Sequence, residues 1–239
     1  MPAVNALLER LAAEPQAAGL FLDFDGVLAP IVDRPGDAAA PPETRVELER
    51  LADRYALVAV VSGRSGEDVA LRIGVEPIVV VGSHGLELDP AAEEWRDRVE
   101  ALARAAGWPD TERKGLTVSF HFRTAEDEQT ARDTLEQVAE QARSAGLVAR
   151  FGRKLLEVLP PVEANKGTAV RRLLTDAGLR RALVAGDDVT DIDAFRAVDG
   201  LELAVRVAVA ADESPPELRE AADVVVGSPA EFLALLRSL

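Results

Sequence analysis

Short apolar runs alternate with amphipathic stretches in the first part of the chain. Three buried strands are predicted, over residues 19–25, 56–62 and 78–82. Between the first two, residues 43–54 place Val46, Leu48 and Leu51 at helical spacing. This alternation of strands and helices predicts a parallel sheet with helices on both faces.

The pattern changes after residue 85. Residues 116–122 read LTVSFHF and alternate with period two, which suits a sheet with one exposed face. The other predicted elements of this block are helices over 90–106 and 126–144 and strands over 147–151 and 154–159. The block is therefore predicted to be a small α+β unit of antiparallel strands, and the pair Pro160-Pro161 closes it as a linker would.

The alternation of apolar strands and amphipathic helices then returns. Helices are predicted over 167–177, 191–198, 216–222 and 229–236, and strands over 182–185, 203–207 and 223–226. We therefore predict an α/β fold in which a Rossmann-like parallel-sheet core carries an inserted α+β cap domain. The core comprises residues 1–86 and 161–239, and the cap comprises residues 87–160.

Composition narrows the possible partners and the setting. Of the 239 residues, 42 are acidic and 27 are Lys or Arg, a formal net charge of −15. An acidic globule is a poor match for nucleic acid or for an anionic membrane, so we expect neither as a partner. The chain has no cysteine, no apolar run of membrane-spanning length and no signal-peptide pattern at its start. We expect a cytoplasmic protein that acts as a monomer.

Two carboxylates end the first predicted strand, in the tetrapeptide Asp23-Phe24-Asp25-Gly26. Side chains two apart on a strand point the same way, so Asp23 and Asp25 converge while Phe24 turns into the core. In open α/β sheets, ligands bind beyond the carboxyl ends of the strands. A cation, or a proton on one carboxyl group, would relieve the repulsion between the pair. The alternative is that Asp-Gly only makes a turn.

Three more motifs lie at strand ends or helix starts. Ser62-Gly63-Arg64 offers a hydroxyl and backbone amides to an anion, or else an N-cap serine beside a surface arginine. Lys166 lies at the start of a predicted helix, where the helix dipole disfavours a positive charge. A nearby anion would compensate for this, and the alternative is that the lysine is a solvated surface residue. The run 186–191 holds three carboxylates, which suit Mg²⁺ or form an acidic N-cap cluster.

The four motifs, in this order and placement, resemble the haloacid-dehalogenase-type phosphohydrolases. Further runs make the chain similar to trehalose-6-phosphate phosphatases in its cap as well as its core. These runs are DFDGVLAPI (23–31), GSHG (82–85), KGLTVSFHFR (114–123 with Lys114 first), GRKLLE (152–157), NKG (165–167) and GDDVTDIDAF (186–195). The cap runs matter most, because phosphatases of many substrates share the core motifs and fold alone does not license a substrate.

The resemblance implies Mg²⁺-dependent hydrolysis of trehalose 6-phosphate to trehalose and phosphate, a step of trehalose biosynthesis, through an aspartyl-phosphate. Asp23 would be the nucleophile and Asp25 the general acid and base, while Ser62 and Lys166 would bind phosphoryl oxygens. The implied Mg²⁺ ligands are Asp23, Asp25 through its main-chain carbonyl, Asp187 and the neighbouring Asp188. The implied substrate-binding residues are Gly26, Arg64, His84, Lys114, His121, Arg123 and Glu157.

Some of these residues also allow other interpretations. His121 and Arg123 are two apart on the predicted strand and share a face with Ser119, which could simply be an exposed sheet surface. Phe120 and Phe122 are expected in the core of the cap rather than against a sugar.

Three other functions remain open at this point. The substrate could be another sugar phosphate, of the sucrose or mannosylglycerate type. The chain could be a non-catalytic phosphosugar-binding module, although the presence of both Asp23 and Asp25 argues against this. It could also transfer the phosphoryl group to a second sugar, in a mutase reaction.

Overall fold

The computed structural model describes residues 2–32, 34–152, 154–210 and 215–239 of the chain. The chain forms two compact units. One consists of Met1–Gly85 together with Ala164–Leu239, and the other of Leu86–Glu163. The sequence prediction divides the chain after residues 86 and 160, and the compact units divide it after Gly85 and Glu163.

The strands within the described residues are short. In chain order they are β1 (Ala18–Leu22), β2 (Leu57–Val61), β3 (Val79–Val81), β4 (Thr111–Arg113), β5 (Val118–His121), β6 (Val148–Gly152), β7 (Leu155–Leu159), β8 (Arg181–Gly186), β9 (Leu203–Val209) and β10 (Val224–Val226).

The α-helices of the same residues range from one turn to about five turns. In chain order they are α1 (Pro2–Ala12), α2 (Pro42–Arg54), α3 (Gly66–Ile73), α4 (Pro90–Glu93), α5 (Arg96–Ala106), α6 (Glu128–Ser144), α7 (Lys166–Asp176), α8 (Asp191–Ala197), α9 (Pro216–Ala221) and α10 (Pro229–Leu236). Within the described ranges, no helix combines the length and the apolar character that a membrane crossing needs.

The first unit is built on a six-stranded sheet in the order β10-β9-β8-β1-β2-β3. Every neighbouring pair in this sheet is parallel. All five residues of β1 are buried, as expected of a central strand that is covered on both faces. Because β1 lies between β8 and β2, the residues that follow these three strands emerge side by side at one edge of the sheet.

The second unit contains a four-stranded antiparallel sheet in the order β4-β5-β7-β6. One face packs against α5 and α6 in a separate apolar cluster. Phe120 and Phe122 are both buried in that cluster, so the prediction that they belong to the core of this unit is confirmed.

The other face of this sheet carries a polar row. Ser119 of β5 is paired with Glu112 of β4 on one side and with Glu157 of β7 on the other. Arg150 of β6 pairs with Glu157 and completes the row. Residues in register across a sheet share a face, so these four side chains lie on the face away from the apolar cluster.

The helix predicted over 43–54 is confirmed, since α2 spans Pro42–Arg54. Within it, Val46 is 65% exposed although Leu48 and Leu51 are fully buried, because residues 46 and 48 lie on nearly opposite sides of a helix. Two other predictions were wrong. The helix predicted over 90–106 is broken between α4 and α5, where Trp95 packs against the apolar cluster of the second unit. Arg123 lies in a turn beyond the end of β5, so it does not share a strand face with His121.

The two junctions between the units adjoin each other within the first unit. Gly85 has a φ of +102°, and a Cβ at this position would lie 2.6 Å from the carbonyl oxygen of Asn165. Glycine is therefore required there both by the backbone conformation and by the close approach of the two segments.

Candidate active site

Four predicted motifs meet at the carboxyl edge of the six-stranded sheet. Asp23 follows β1, Ser62 follows β2 and Asp187 follows β8, while Lys166 is the first residue of α7. The side chain of Asn165 caps α7 by accepting a hydrogen bond from the backbone N–H of Thr168. In return, the backbone N–H of Asn165 donates to the hydroxyl oxygen of Thr168, and this capping box fixes where Lys166 begins the helix.

Asp23 is a buried carboxylate with both oxygens in contact with donors. Oδ1 accepts the backbone N–H of Phe24 at 2.7 Å, and Oδ2 lies 2.9 Å from Nζ of Lys166. Burial raises the pKa of Asp23 to about 7, although the positive charge of Lys166 opposes the shift. The surroundings thus hold Asp23 in place and crowd it with negative charge.

Lys166 is 3% exposed and lies between two carboxylates. Its Nζ donates to Oδ1 of Asp191 at 2.7 Å. Burial alone would lower the pKa of Lys166, but the negative charges of Asp23 and Asp191 outweigh it and raise the pKa. The lysine is therefore not a solvated surface residue. The two aspartates supply the negative charge that compensates for its unfavourable position at the start of a helix.

Asp191 organises the loop after β8. Its Oδ2 accepts the backbone N–H groups of Asp187 and Asp188, at 3.0 and 3.1 Å. Since Oδ1 already contacts Lys166, both carboxylate oxygens of Asp191 are engaged within the protein. Gly186 allows this packing, because a Cβ there would lie 2.2 Å from the side chain of Asp191.

Three carboxylates form a cluster that suits a hard cation. One oxygen each of Asp23, Asp187 and Asp191 lies within 4.8 Å of the others. Burial raises the pKa of Asp187 to about 8, and the charges of Asp23 and Asp191 add to the effect. A divalent cation would relieve this crowding, and carboxylate oxygens are the ligands Mg²⁺ prefers. The donor set therefore fits Mg²⁺.

The predicted metal ligands are not all brought together. Asp23 and Asp187 belong to the carboxylate cluster. Asp188 is exposed, lies outside the cluster and accepts the backbone N–H of Val189. Gly26 lets the Asp187 carboxylate approach the turn after β1, because a Cβ at Gly26 would lie 2.0 Å from Oδ2 of Asp187.

Asp25 is held by Arg64. The guanidinium donates from Nε to Oδ2 at 2.6 Å and from Nη2 to Oδ1 at 2.9 Å. Two parallel hydrogen bonds of this kind fix the plane of a carboxylate. Arg64 also lies over the ring of Phe24, 5.7 Å from its centroid. The resemblance implied that Arg64 binds substrate; the structure adds that it holds Asp25.

Ser62 and His84 line the same end of the sheet. Ser62 is buried, and its hydroxyl oxygen accepts the backbone N–H of Arg64 at 3.2 Å. The backbone N–H of His84 donates to the carbonyl of Ser62 at 2.9 Å. The ring of His84 packs against Gly63, where a Cβ would lie 2.6 Å from it.

In the second unit, two predicted residues share one unpredicted partner. Glu112 lies 2.9 Å from Nε2 of His121 and 3.5 Å from Nζ of Lys114. Glu157 and Arg123 are the other two residues of this unit that are predicted to bind substrate. Glu157 is half-buried on the polar row of the sheet, and Arg123 is exposed.

Comparison with known proteins decides the family. A profile of the trehalose-phosphatase family matches residues 21–224. The chain belongs to the trehalose-phosphatase family. It is 36% identical over 206 residues to the trehalose-phosphate phosphatase of Mycobacterium avium (strain 104), an alignment that covers 76% of this chain and 51% of that protein. The chain spans about half the length of the curated relatives it matches.

Solved structures with the same architecture extend this result to the fold. A trehalose-6-phosphate phosphatase related protein superposes with a TM-score of 0.72 at 26% identity, over 92% of this chain and 95% of that one. A haloacid dehalogenase-like hydrolase from Bacteroides thetaiotaomicron matches with a TM-score of 0.65 at 15% identity, over 94% and 100% of the two chains. The predicted fold class and the resemblance to the trehalose-phosphatase family are confirmed.

The sequence prediction missed two residues of this member of the family. Glu112 lies in a three-residue strand, too short to show its period, and its spacing of two from Lys114 was the only signal. Asp68 lies one helical turn after Arg64 and contacts it at 3.1 Å; the i,i+4 spacing of opposite charges could have indicated the pair.

Proposed function

We propose that this chain hydrolyses trehalose 6-phosphate to trehalose and inorganic phosphate, through an aspartyl-phosphate on Asp23 and with Mg²⁺ as cofactor. One observation carries the proposal. In a chain of the trehalose-phosphatase family, Asp23 is a buried carboxylate at the end of a central strand, with Lys166 2.9 Å from one oxygen. The small sugar phosphate is then the partner of this chain.

In the first step, a carboxylate oxygen of Asp23 attacks phosphorus and the bond from phosphorus to the sugar oxygen breaks. Asp25 gives its proton to the departing sugar oxygen. Lys166 and Ser62 bind the phosphoryl oxygens, where a fixed positive charge and a donor stabilise the transition state.

In the second step, Asp25 takes a proton from a water molecule that attacks the phosphorus of the aspartyl-phosphate. The bond from phosphorus to Asp23 breaks, and phosphate leaves with the original carboxylate restored. Each oxygen of Asp25 has two lone pairs, so each can accept from Arg64 and still face the reactants. Asp23, Asp187 and the main-chain carbonyl of Asp25 would hold Mg²⁺, which when bound offsets the repulsion between nucleophile and phosphate.

The second unit supplies sugar recognition in this proposal. Lys114, His121 and Glu157 offer donors and acceptors to the sugar hydroxyls, and Glu157 can accept several hydrogen bonds at once. Arg123, exposed beyond the end of β5, belongs to the same proposed set. In this proposal, Gly26 and His84 also contact the substrate.

The test is phosphate release from trehalose 6-phosphate, with and without Mg²⁺. The natural chain should release phosphate only with the metal, and Asp23→Asn should release none above background. Asp53→Asn, a change at an exposed carboxylate of α2, is the matched control and should retain full activity. Full activity of Asp23→Asn would refute the mechanism.

A panel of sugar phosphates tests the substrate. Faster release from sucrose or mannosylglycerate phosphates would replace the proposed substrate. Binding without turnover would indicate a non-catalytic module, and a rearranged sugar phosphate without free phosphate would indicate a mutase.

A further inference from the structure

Four side chains of alternating charge run from the active site into helix α3. Arg64 holds Asp25 with two hydrogen bonds, at 2.6 and 2.9 Å. Its remaining nitrogen, Nη1, donates to Oδ2 of Asp68 at 3.1 Å. The same oxygen of Asp68 accepts Nε of Arg72 at 2.8 Å. Each charge in the row Asp25, Arg64, Asp68 and Arg72 is therefore flanked by the opposite charge.

The row ends on the backbone beyond Asp25. Nη1 of Arg72 donates to the carbonyl oxygens of Gly36 and Ala38, at 2.8 and 2.5 Å. The two arginines of the row thus bind the chain at two places, at Asp25 itself and 11 to 13 residues further on. Arg72 belongs to helix α3, and Arg64 lies just before the residue that caps it.

Asp68 occupies the only position in this row that touches both arginines. Their side chains are mostly buried, 13% exposed for Arg64 and 18% for Arg72. Ser65 caps α3 by accepting the backbone N–H of Asp68, so the aspartate lies in the first turn of the helix with its backbone held by the cap. Burial acts to raise the pKa of Asp68, but hydrogen bonds from Arg72 and Arg64 outweigh it and lower the pKa, which keeps the carboxylate charged.

We propose that Asp68 is a positioning residue for the reaction: it fixes the guanidinium of Arg64, which in turn orients the carboxyl group of Asp25 toward the departing oxygen. This inference rests on the proposed function, in which Asp25 donates the proton. Without Asp68, Arg64 keeps its charge but loses the contact that fixes its Nη1 end. A protonated carboxyl group whose plane is no longer fixed delivers its proton less efficiently.

The test compares two esters with different leaving groups. A sugar oxygen needs a proton as it departs, whereas p-nitrophenolate leaves without one. The ratio kcat/KM includes only steps up to loss of the leaving group, so later hydrolysis of the aspartyl-phosphate does not enter. For Asp68→Asn we expect kcat/KM to fall roughly 10-fold with trehalose 6-phosphate and less than about 2-fold with p-nitrophenyl phosphate.

Glu67→Gln is the matched control. It removes the same charge from the same turn of α3, but Glu67 is exposed and makes no ion pair with a described residue. This variant should behave as the natural chain with both esters. Thermal unfolding of each variant checks the fold, and Arg72→Gln provides the same comparison if Asp68→Asn does not fold.

Each outcome bears on the inference. A selective loss with the sugar ester supports it, and equal losses with both esters, or no loss, overturn it. If the natural chain releases no phosphate from the sugar ester, the proposed function fails and the inference fails with it. A natural chain that is active, with variants that lose both activities equally, overturns the positioning role alone.

Discussion

Replacing Lys166 with methionine measures how much one buried cation stabilises the first unit. Methionine keeps the unbranched stem and removes the charge. Nζ lies 2.9 Å from Asp23 and 2.7 Å from Asp191. With an effective dielectric constant of about 20, each contact contributes roughly 6 kcal/mol before desolvation is subtracted. Removal of one partner from a buried ion pair costs about 3–5 kcal/mol, and we expect that loss in the unfolding free energy measured in EDTA.

Urea unfolding followed by circular dichroism is the suitable assay. Both tryptophans, Trp95 and Trp108, lie within the second unit, so their fluorescence would not report the first unit. Arg172→Met is the control, because it removes a cation from the surface of the same helix, where the side chain is 50% exposed. The control should change stability by less than about 0.5 kcal/mol.

Magnesium should return part of the stability that Lys166→Met loses, since a cation among the three carboxylates replaces the missing positive charge. A ligand that binds only the folded state adds about 2.7 kcal/mol at 100 times its Kd. Equal unfolding free energies for Lys166→Met and Arg172→Met in EDTA would refute this account of the site.

Three further predictions concern packing, pH and sugar recognition. Gly167→Ala should cost about 1–3 kcal/mol in urea unfolding, because the added Cβ would lie 2.3 Å from a backbone oxygen of α8, whereas Gly36→Ala meets open space and should cost little. The hydrogen bond with His121 lowers the pKa of Glu112 below 4.5, so its contribution to stability is present above pH 4.5 and is lost as the pH falls through the lowered pKa. Glu112→Gln should therefore flatten the acid side of a stability profile, and an unchanged slope would contradict the contact. Glu157→Ala should raise KM and lower kcat together with trehalose 6-phosphate, and unchanged constants would refute its role in sugar binding.

The sequence was most informative where a strand ends in polar residues. Asp23, Ser62 and Asp187 each follow an apolar run, and parallel strands end at one edge of a sheet, so the apolar pattern by itself predicts that the three lie close together. The sequence left open whether the side chain of Lys166 is buried or solvated, because a position at the start of a helix does not reveal whether a side chain turns inward. Its two carboxylate partners are 143 and 25 residues away in the chain, and only the fold brings them together.

The apolar pattern could not predict which side chains of different elements contact each other. The grip of Arg64 on Asp25 depends on which way a long, flexible side chain turns from the end of β2. The exposure of Val46 shows a related limit: the apolar spacing predicts the helix but not the direction of each side chain, and the helix turns by about 200° between positions 46 and 48. The engagement of both oxygens of Asp191 likewise follows from local loop geometry rather than from spacing.

The close approach of Gly85 and Asn165 makes Leu86–Glu163 a cassette with neighbouring ends. No strand of the six-stranded sheet lies inside that stretch, so a short linker from residue 85 to residue 164 leaves the hydrogen-bonding ladder and the carboxylate cluster intact. If the second unit selects the sugar, as proposed, exchange of the cassette between relatives would change which ester is accepted while the residues proposed to handle phosphorus stay the same. Under that proposal, the geometry at a single glycine allows the choice of sugar and the chemistry of the phosphate to evolve separately.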